Sequence, residues 1–315
     1  MGRVTQRRKV HKYVLDGSPN ALEFPVRHRE DVLAVEEPLE IRIGALSFSV
    51  TMRTPGDDFD LVAGFLVSEG IIWAPEQLVS LRFCAGEDEN GVQTFNVVEA
   101  QLRPDVELPA KGRNVFTSSS CGICGTDSIE AVRKSSHFSP AADPMTVPAD
   151  VLASLPGRLR EAQDVFDVTG GVHAAGLFRI TDDGGVQLLC LREDVGRHNA
   201  VDKVVGWALR ERLLPLAGLV LQVSGRASFE LVQKAALAGI PVLAAVSAPS
   251  SLAVELAEAS GMTLAGFSRG TSLNIYAGQG RITLPATDVP EPVPTHAPEP
   301  VPGEGVAELS ANAPG

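Results

Sequence analysis

The chain has 315 residues, more than the roughly 250–300 at which a single hydrophobic core stops growing, so two packed subdomains are expected. Apolar residues make up 44% of the chain, but Pro, Gly, Gln or Ser interrupts each run before the ~18 residues that a membrane helix needs, so no membrane span is expected. The net charge of −12 argues against broad, sequence-independent binding of nucleic acid, because such binding needs a basic surface.

The two ends of the chain differ from the body in composition. Residues 1–12 carry five Lys/Arg, and a polar stretch rather than an apolar run follows, so we expect a basic flexible tail over 1–16 and no export signal. The protein is therefore predicted to be cytoplasmic, with free, catalytic or metal-bound cysteines instead of disulfides. Residues 286–315 contain seven of the 22 prolines and five Asp/Glu, which predicts a disordered tail.

Residues 17–115 are predicted to form a small α+β subdomain. Apolar and polar residues alternate on both sides of Gly44-Ala45, which indicates a hairpin with one buried face. Apolar residues at helical spacing follow and end near Gly70, so a helix is expected there. A second hairpin is predicted to turn at Asn90-Gly91. Its strands are expected over 78–84 and 92–98.

Residues 127–285 show strands and helices in alternation. This order favours right-handed crossovers and a covered, largely parallel sheet, so the predicted fold class is α/β. The first two strands are joined by a turn at 182–185, and helices separate the later strands. The strands are predicted over 173–180, 187–192, 218–223, 242–245 and 263–267, and the helices over 199–213, 229–238 and 252–260.

Between these two regions, residues 116–126 carry Cys121 and Cys124 among serines and glycines. The segment has no apolar periodicity, which predicts a mobile loop, and a helix is expected to begin after it, near Asp127. The two other cysteines, Cys84 and Cys190, lie in predicted strands and are expected to be small buried residues.

The Cys121-Gly-Ile-Cys124 pair allows four interpretations. A zinc site needs two more ligands, and although His137 lies at a finger-like distance, no second histidine completes the set. A thioredoxin-like redox pair is expected within a βαβ unit, not in a linker. Two cysteines without a role would be open to oxidation. A persulfide carrier needs a hinge and a thiolate, and the pKa of paired cysteines can fall from ~8.5 to roughly 3.5–7.5.

Small and polar residues follow three of the predicted strands, at 194–199, 224–228 and 247–251. In a parallel sheet these junctions share one edge, where helix N-termini bind anions. Arg197 and Arg226 lie at helix starts, where a positive charge opposes the helix dipole, so they favour a phosphate-bearing ligand. The alternative is that Ser and Asn only cap helices and Gly only makes turns. The roles of His173 and His198 are also left open by the sequence: each can be a base, a ligand or a structural histidine.

Five stretches of the sequence form an ordered set of motifs. The longest runs from Glu193 to Lys203 and reads Glu-Asp-Val-Gly-Arg-His-Asn-Ala-Val-Asp-Lys. The others are residues 53–72, 120–125, 224–226 and 266–270. Together they make the chain, over about residues 20–280, resemble the formate dehydrogenase accessory sulfurtransferase (FdhD) family.

The resemblance implies a function for the cysteine pair. A cysteine desulfurase would hand sulfur to Cys121 as a persulfide, with Cys124 as the second catalytic cysteine. The sulfur would then pass to the bis-molybdopterin guanine dinucleotide form of the molybdenum cofactor before its insertion into the formate dehydrogenase apoenzyme. The resemblance also implies a homodimer and a C-terminal subdomain with a cytidine-deaminase-like fold.

The resemblance further implies where the guanine nucleotide end of the cofactor binds. The matching segment comprises Phe267, Ser268, Arg269, Gly270, Thr271 and Ser272. The junction residues Arg197, His198, Gly225 and Arg226 complete the predicted cofactor site, and no resident metal is expected.

Two rival functions can be weighed on the same residues. A zinc-dependent deaminase uses a His-x-Glu and a Pro-Cys-x-x-Cys, but His173-Ala174-Ala175 lacks the glutamate and the cysteine pair follows Ser120. A non-catalytic chaperone that binds the cofactor without moving sulfur stays open. A persulfide trapped on Cys121 would separate this chaperone from a sulfurtransferase.

Overall fold

A computed structural model describes residues 3–13, 26–84, 86, 94–108, 115–117, 136–181 and 184–284, with 115–117 described by their backbone alone. Within these ranges the chain forms a five-stranded sheet, a six-stranded sheet and two small two-stranded sheets. The Cys121–Cys124 segment, the Asn90-Gly91 turn and the tail over 286–315 lie outside the described residues. None of the helices in the described ranges is long and apolar enough to cross a bilayer.

A two-stranded ribbon begins the described chain. β1 (Thr5–Tyr13) pairs antiparallel with β2 (Val26–Ala34), and most of their side chains are exposed. The sequence predicted a flexible tail over 1–16, and the structure instead places a strand at Thr5–Tyr13. A strand with one buried face is predicted from apolar residues at every second position, and the basic run over 5–13 does not alternate between apolar and polar residues in this way.

The five-stranded sheet and one helix contain most of residues 37–117. The elements are, in chain order, β3 (Glu37–Ile43), β4 (Leu46–Arg53), α1 (Asp58–Ser68), β5 (Leu78–Phe83), β6 (Val97–Leu102) and β7 (Val115–Thr117). The strand order is β5-β6-β3-β4-β7. The predicted hairpin is confirmed as β3 and β4, and the predicted helix as α1. β5 and β6 pair antiparallel as expected, but β6 begins at Val97 and not at Val92.

The six-stranded sheet contains the alternating region. The elements are, in chain order, β8 (Val147–Pro148), α2 (Ala149–Glu161), α3 (Asp164–Thr169), β9 (His173–Ile180), β10 (Val186–Asp194), α4 (Arg197–Arg210), β11 (Leu219–Val223), α5 (Phe229–Leu237), β12 (Val242–Ala245), α6 (Ser251–Ala259), β13 (Thr263–Arg269), β14 (Ser272–Ala277) and β15 (Ile282–Thr283). β8 and β15 form a separate parallel pair. The α/β class is confirmed.

The direction of the strands corrects one prediction. The order is β10-β9-β11-β12-β13-β14, and only β11 with β12 and β12 with β13 run parallel. The sheet is therefore mixed and not largely parallel. β9 and β10, like β13 and β14, are joined by short turns, and strands joined in this way can pair only antiparallel.

Helices cover both faces of the six-stranded sheet. Along β11, Leu219, Leu221 and Val223 pack into the larger core with α4 and α5, whereas Val220 packs into a smaller core with α2. The larger core continues to β3 and α1, so one core joins both sheets within the compact unit Met1–Pro285.

Two glycines let α1 and α4 cross at backbone contact. A Cβ on Gly64 would lie 1.7 Å from the carbonyl oxygen of Asp202, and a Cβ on Gly206 would lie 1.8 Å from that of Asp60. No side chain fits at either position. This crossing fixes the five-stranded sheet against α4, the helix that begins within the longest sequence motif.

Candidate functional site

The three predicted strand-to-helix junctions meet at one edge of the six-stranded sheet. The amide of Ser224, after β11, donates to the carbonyl of Ala174 at the start of β9 (3.0 Å). Ala174 in turn pairs with Glu193 near the end of β10. On the other side, the amide of Ser250 donates to the carbonyl of Ala227 (3.0 Å), which links the second junction to the third. The N-termini of α4, α5 and α6 therefore share this edge, as the sequence predicted.

A buried ion pair fixes the first junction. Asp194 is fully buried, and its Oδ1 accepts hydrogen bonds from the amide of Gly196 (2.8 Å) and from Nδ2 of Asn199 (3.1 Å). Its Oδ2 accepts from the amide of Thr54 (3.1 Å) and lies 2.8 Å from Nζ of Lys203. Lys203 also donates to the carbonyl of Thr54 (2.9 Å). These motif residues thus join the end of β4 to α4.

We expect Lys203→Met to lower the free energy of unfolding by about 3–5 kcal/mol, because Asp194 would stay buried without its cation. Urea unfolding followed by circular dichroism measures the change. The double variant Asp194→Asn/Lys203→Met removes both charges and should recover part of the loss. A single-variant effect within ~0.5 kcal/mol of wild type would show that the pair does not hold the junction.

His198 is held by the start of α5. Its Nε2 lies 3.3 Å from Oγ of Ser228 and 3.3 Å from Oε2 of Glu230. Burial lowers the pKa of His198 to about 4, and the nearby charge of Glu230 only partly opposes this shift. The ring is therefore neutral at pH 7, and Nε2 can donate to the carboxylate. This geometry favours the structural interpretation of His198.

His173 lies in a different setting, at a cleft of ≈ 560 Å³ on the side of the sheet that α2 and α3 cover. Burial lowers its pKa, and the positive charge of Arg197 acts in the same direction while Asp194 opposes it. A Cβ on Gly225 would lie 3.5 Å from Nδ1 of His173 and 3.8 Å from Cδ of Arg197. These two side chains thus approach the junction backbone together, whereas Arg226 is exposed to solvent.

The segment Phe267–Ser272 forms the end of β13 and its turn into β14. The amide of Phe267 lies 3.4 Å from the carbonyl of Ser247, which places the segment at the same sheet edge. Phe267 is 44% exposed and has a φ of 51°, a strained value for an aromatic residue. Ser268 is fully buried, and its hydroxyl donates to the carbonyl of Leu152. Arg269 and the turn residues after it are exposed.

The two described cysteines differ in their suitability for chemistry. Cys190 is buried, as predicted, and burial raises the pKa of its thiol to about 12. Cys84 was expected to be buried in a strand, but it follows β5, is only half-buried, and its Sγ lies 3.7 Å from Oε2 of Glu99. Cys121 and Cys124 lie outside the described residues, so their predicted role stays a prediction.

No residue that α2 and α3 bring to the cleft was predicted from the sequence. Arg160, Gln163 and Phe166 line it, yet no element was predicted between 145 and 172. The signal was present, since three leucines at helical spacing form the buried face of α2. These leucines are Leu152, Leu155 and Leu159.

Comparison with known proteins decides the family. Over residues 34–283 the sequence matches the model of the family described as FdhD/NarQ family. The chain belongs to the FdhD/NarQ family. This confirms the resemblance found in the motifs, and the match covers both sheets and the whole sheet edge described above.

Individual FdhD/NarQ relatives are close in sequence. The chain is 57% identical over 281 residues to the "Sulfur carrier protein FdhD" of Nocardia farcinica, which covers 89% of this chain and 96% of the relative. It is 51% identical over 288 residues to the protein of the same name from Mycobacterium tuberculosis, at 90% and 100% coverage. A crystal structure from Desulfotalea psychrophila, whose description proposes a formate dehydrogenase accessory protein, matches with a TM-score of 0.66 at 25% identity, covering 89% of this chain and 100% of that chain.

Proposed function

We propose that this FdhD/NarQ protein is a cytoplasmic, homodimeric sulfurtransferase. It takes sulfur from a cysteine desulfurase as a persulfide on Cys121 and passes it to the bis-molybdopterin guanine dinucleotide molybdenum cofactor before insertion into formate dehydrogenase. The carrying observation is the Cys121-Gly-Ile-Cys124 pair in a chain 57% identical to a protein named as a sulfur carrier. The accessory-protein description of the similar crystal structure supports the same role.

The loading step follows thiol–disulfide exchange. The thiolate of Cys121 attacks the terminal sulfur of the donor's persulfide, a new S–S bond forms at Cys121, and the donor cysteine leaves as a thiolate. Cys190 is unsuited to this step, because its thiol is buried and its pKa is raised to about 12. Cys124 can assist by resolving or sharing the persulfide.

Intact-mass analysis after incubation with a cysteine desulfurase and cysteine tests the proposal. We expect a gain of one sulfur atom that peptide mapping places on Cys121 and that a reducing agent removes. A protein that binds the cofactor but never gains sulfur would instead be the non-catalytic cofactor chaperone.

The acceptor's guanine nucleotide is proposed to bind beside Phe267–Ser272. The N-termini of α4, α5 and α6 converge at this edge and favour an anion. Arg226 and Arg269 are exposed there and can each donate charge-assisted hydrogen bonds to a phosphate. The exposed ring of Phe267 offers a face on which a base can stack.

Arg269→Ala is expected to weaken GDP binding roughly 10- to 100-fold, because a charge-assisted hydrogen bond to a phosphate is lost. Calorimetry on the wild type should give a dissociation constant between about 1 μM and 1 mM. Arg103→Ala is the matched control, since Arg103 is exposed and pairs with Asp105 near the five-stranded sheet. Sulfur loading of Cys121 should be unchanged in both variants. Equal GDP affinity of wild type and Arg269→Ala would place the guanine site elsewhere.

A further inference from the structure

The ribbon of β1 and β2 carries a charge opposite to that of the chain as a whole. Its two strands contain six Lys/Arg and two Asp/Glu, whereas the whole chain has a net charge of −12. Most of its side chains are exposed. A local excess of one charge on an exposed surface attracts partners of the opposite charge and speeds their association. The ribbon is therefore a candidate surface for an acidic partner.

One face of the ribbon concentrates the positive charge. Residues that pair across antiparallel strands point to the same face, as do residues two positions apart along a strand. Lys12 pairs with Arg27, and the next pair on this face is Val10 with Arg29. Like charges directly opposite each other destabilise a pair of strands. An anion bound over Lys12 and Arg27 would relieve this repulsion.

The acidic residues of the ribbon do not neutralise Lys12 and Arg27. In the part of the chain that the structure describes, the ribbon contains two ion pairs, and neither includes Lys12 or Arg27. These pairs are Arg7 with Glu30 (3.5 Å) and Arg29 with Asp31 (3.0 Å). Both are exposed, and exposed ion pairs contribute little to stability. Lys12 and Arg27 thus remain available to a partner.

The far end of the ribbon favours a protein partner over a nucleic acid or a membrane. Tyr13 is 62% exposed, Val26 is 41% exposed, and the two residues pair across the strands. Tyr and Arg are enriched where protein interfaces gain most of their binding energy. A long polyanion would also be repelled by the acidic body of the protein, whereas an acidic patch on a protein can contact the ribbon alone.

The near end of the ribbon lies beside the sheet edge at which the three junctions meet. The amide of Val35 donates to the carbonyl of Val4 (2.9 Å), which closes this end. A Cβ on Gly171 would lie 3.6 Å from Cβ of Ala34, and Gly171 lines the cleft at His173. Each strand of the ribbon has nine residues and so spans about 30 Å. A partner bound along the ribbon is therefore close to this sheet edge.

We propose that the ribbon is the docking surface for an acidic patch on the formate dehydrogenase apoenzyme. The inference rests on the proposed function, in which the sulfurated cofactor passes from this protein to that apoenzyme. A protein that receives the cofactor must approach the sheet edge at which the cofactor is proposed to bind, and the ribbon begins at that edge. Lys12 and Arg27 attract the acidic patch, and Tyr13 adds apolar contact area.

Binding of the full-length protein to purified formate dehydrogenase apoenzyme, followed by biolayer interferometry, tests the proposal. In Lys12→Glu/Arg27→Glu like charges still lie opposite each other, so the stability of the ribbon should change little while its charge is reversed. At about 50 mM salt we expect association at least about tenfold slower than for the wild type, with little change in the dissociation rate. Raising the salt should slow association of the wild type more than that of the variant.

Two further variants separate docking from a structural role and from net charge. Lys12→Glu alone places opposite charges across the strands and so should stabilise the ribbon, yet it should still slow association. A ribbon with only a structural role predicts association that is unchanged in this variant. Arg82→Glu/Arg103→Glu is the control for net charge, because both arginines are exposed at the five-stranded sheet. It should associate as the wild type does.

Equal association rates of wild type and Lys12→Glu/Arg27→Glu would overturn the proposal, as would failure of the wild type to bind the apoenzyme. The double variant is also titrated with the desulfurase, a DNA duplex and phosphatidylglycerol vesicles. Loss of binding to one of these, with apoenzyme binding kept, would assign the ribbon to that partner instead. Sulfur loading of Cys121 is measured on the same preparation. Normal loading without an effect of the ribbon charges rejects the docking surface alone, whereas a wild type that never loads sulfur rejects the sulfurtransferase proposal.

Discussion

Replacing Cys121 with serine is expected to abolish sulfur loading, because a hydroxyl group cannot form a persulfide. Loading with a cysteine desulfurase and cysteine, followed by intact-mass analysis, should leave Cys121→Ser at its unmodified mass while the wild type gains one sulfur atom. The circular dichroism spectrum and melting temperature of the variant should match the wild type if the defect is chemical. Cys124→Ser, measured alongside, shows whether the second thiol carries sulfur as well.

The other two cysteines provide the controls for this result. Cys190→Ala should load normally, because burial already raises the pKa of the Cys190 thiol to about 12 and keeps it protonated at neutral pH. Cys84→Ala should also load normally, since Cys84 lies outside the cysteine pair. Sulfur that still appears on Cys121→Ser would move the carrier role to another cysteine and contradict the proposal.

Much of the fold could be predicted because the local patterns are strong. β12 occupies Val242–Ala245, the predicted range, since a short apolar run is bounded there by turn residues. The β3–β4 hairpin was predicted from the alternation of apolar and polar residues, and α1 from apolar residues at helical spacing. The shared edge of the three junctions was also predicted correctly, although from a wrong premise. β9 runs antiparallel to both β10 and β11, and this double reversal leaves the ends of β10 and β11 on the same side.

The site itself could be predicted only in part, because sequence patterns do not show which partner a polar residue has. The longest motif indicated a ligand site. In the structure, however, the side chains of Asp194 and Lys203 form hydrogen bonds with the backbone of Thr54, which is about 140 residues away along the chain. Gln163 was overlooked for the opposite reason. It belongs to no motif, and only the three-dimensional structure shows that it lines the cleft at His173.

The largest effect on stability is expected from Gly206→Ala in α4. The new Cβ would lie 1.8 Å from the carbonyl oxygen of Asp60 and 2.5 Å from the amide nitrogen of Gly64, both backbone atoms that no rotamer change can move. The helices must separate, so we expect a loss of more than about 4 kcal/mol in the free energy of unfolding, or no folded protein. Gly157→Ala is the matched control, because no atom beyond its chain neighbours and the backbone of its own helix lies within 4 Å of its Cβ position in α2. That variant should gain about 0.5–1 kcal/mol.

Gly206→Ala should also disturb the sheet edge at which the three strand-to-helix junctions meet, since α1 and α4 share polar contacts that extend to α5. Ser68 at the end of α1 donates to Oδ1 of Asp202 in α4, and Nζ of Lys234 in α5 lies 2.8 Å from the same carboxylate. Burial lowers the pKa of Lys234, but the charges of Asp202 and Glu230 outweigh this effect and raise it. Separation of α1 from α4 therefore disturbs α5 and the junction at its N-terminus. If Gly206→Ala folds, urea unfolding should show a lower free energy of unfolding and calorimetry should show weaker GDP binding. An unchanged urea midpoint would mean that the crossing of α1 and α4 can relax around the added methyl group.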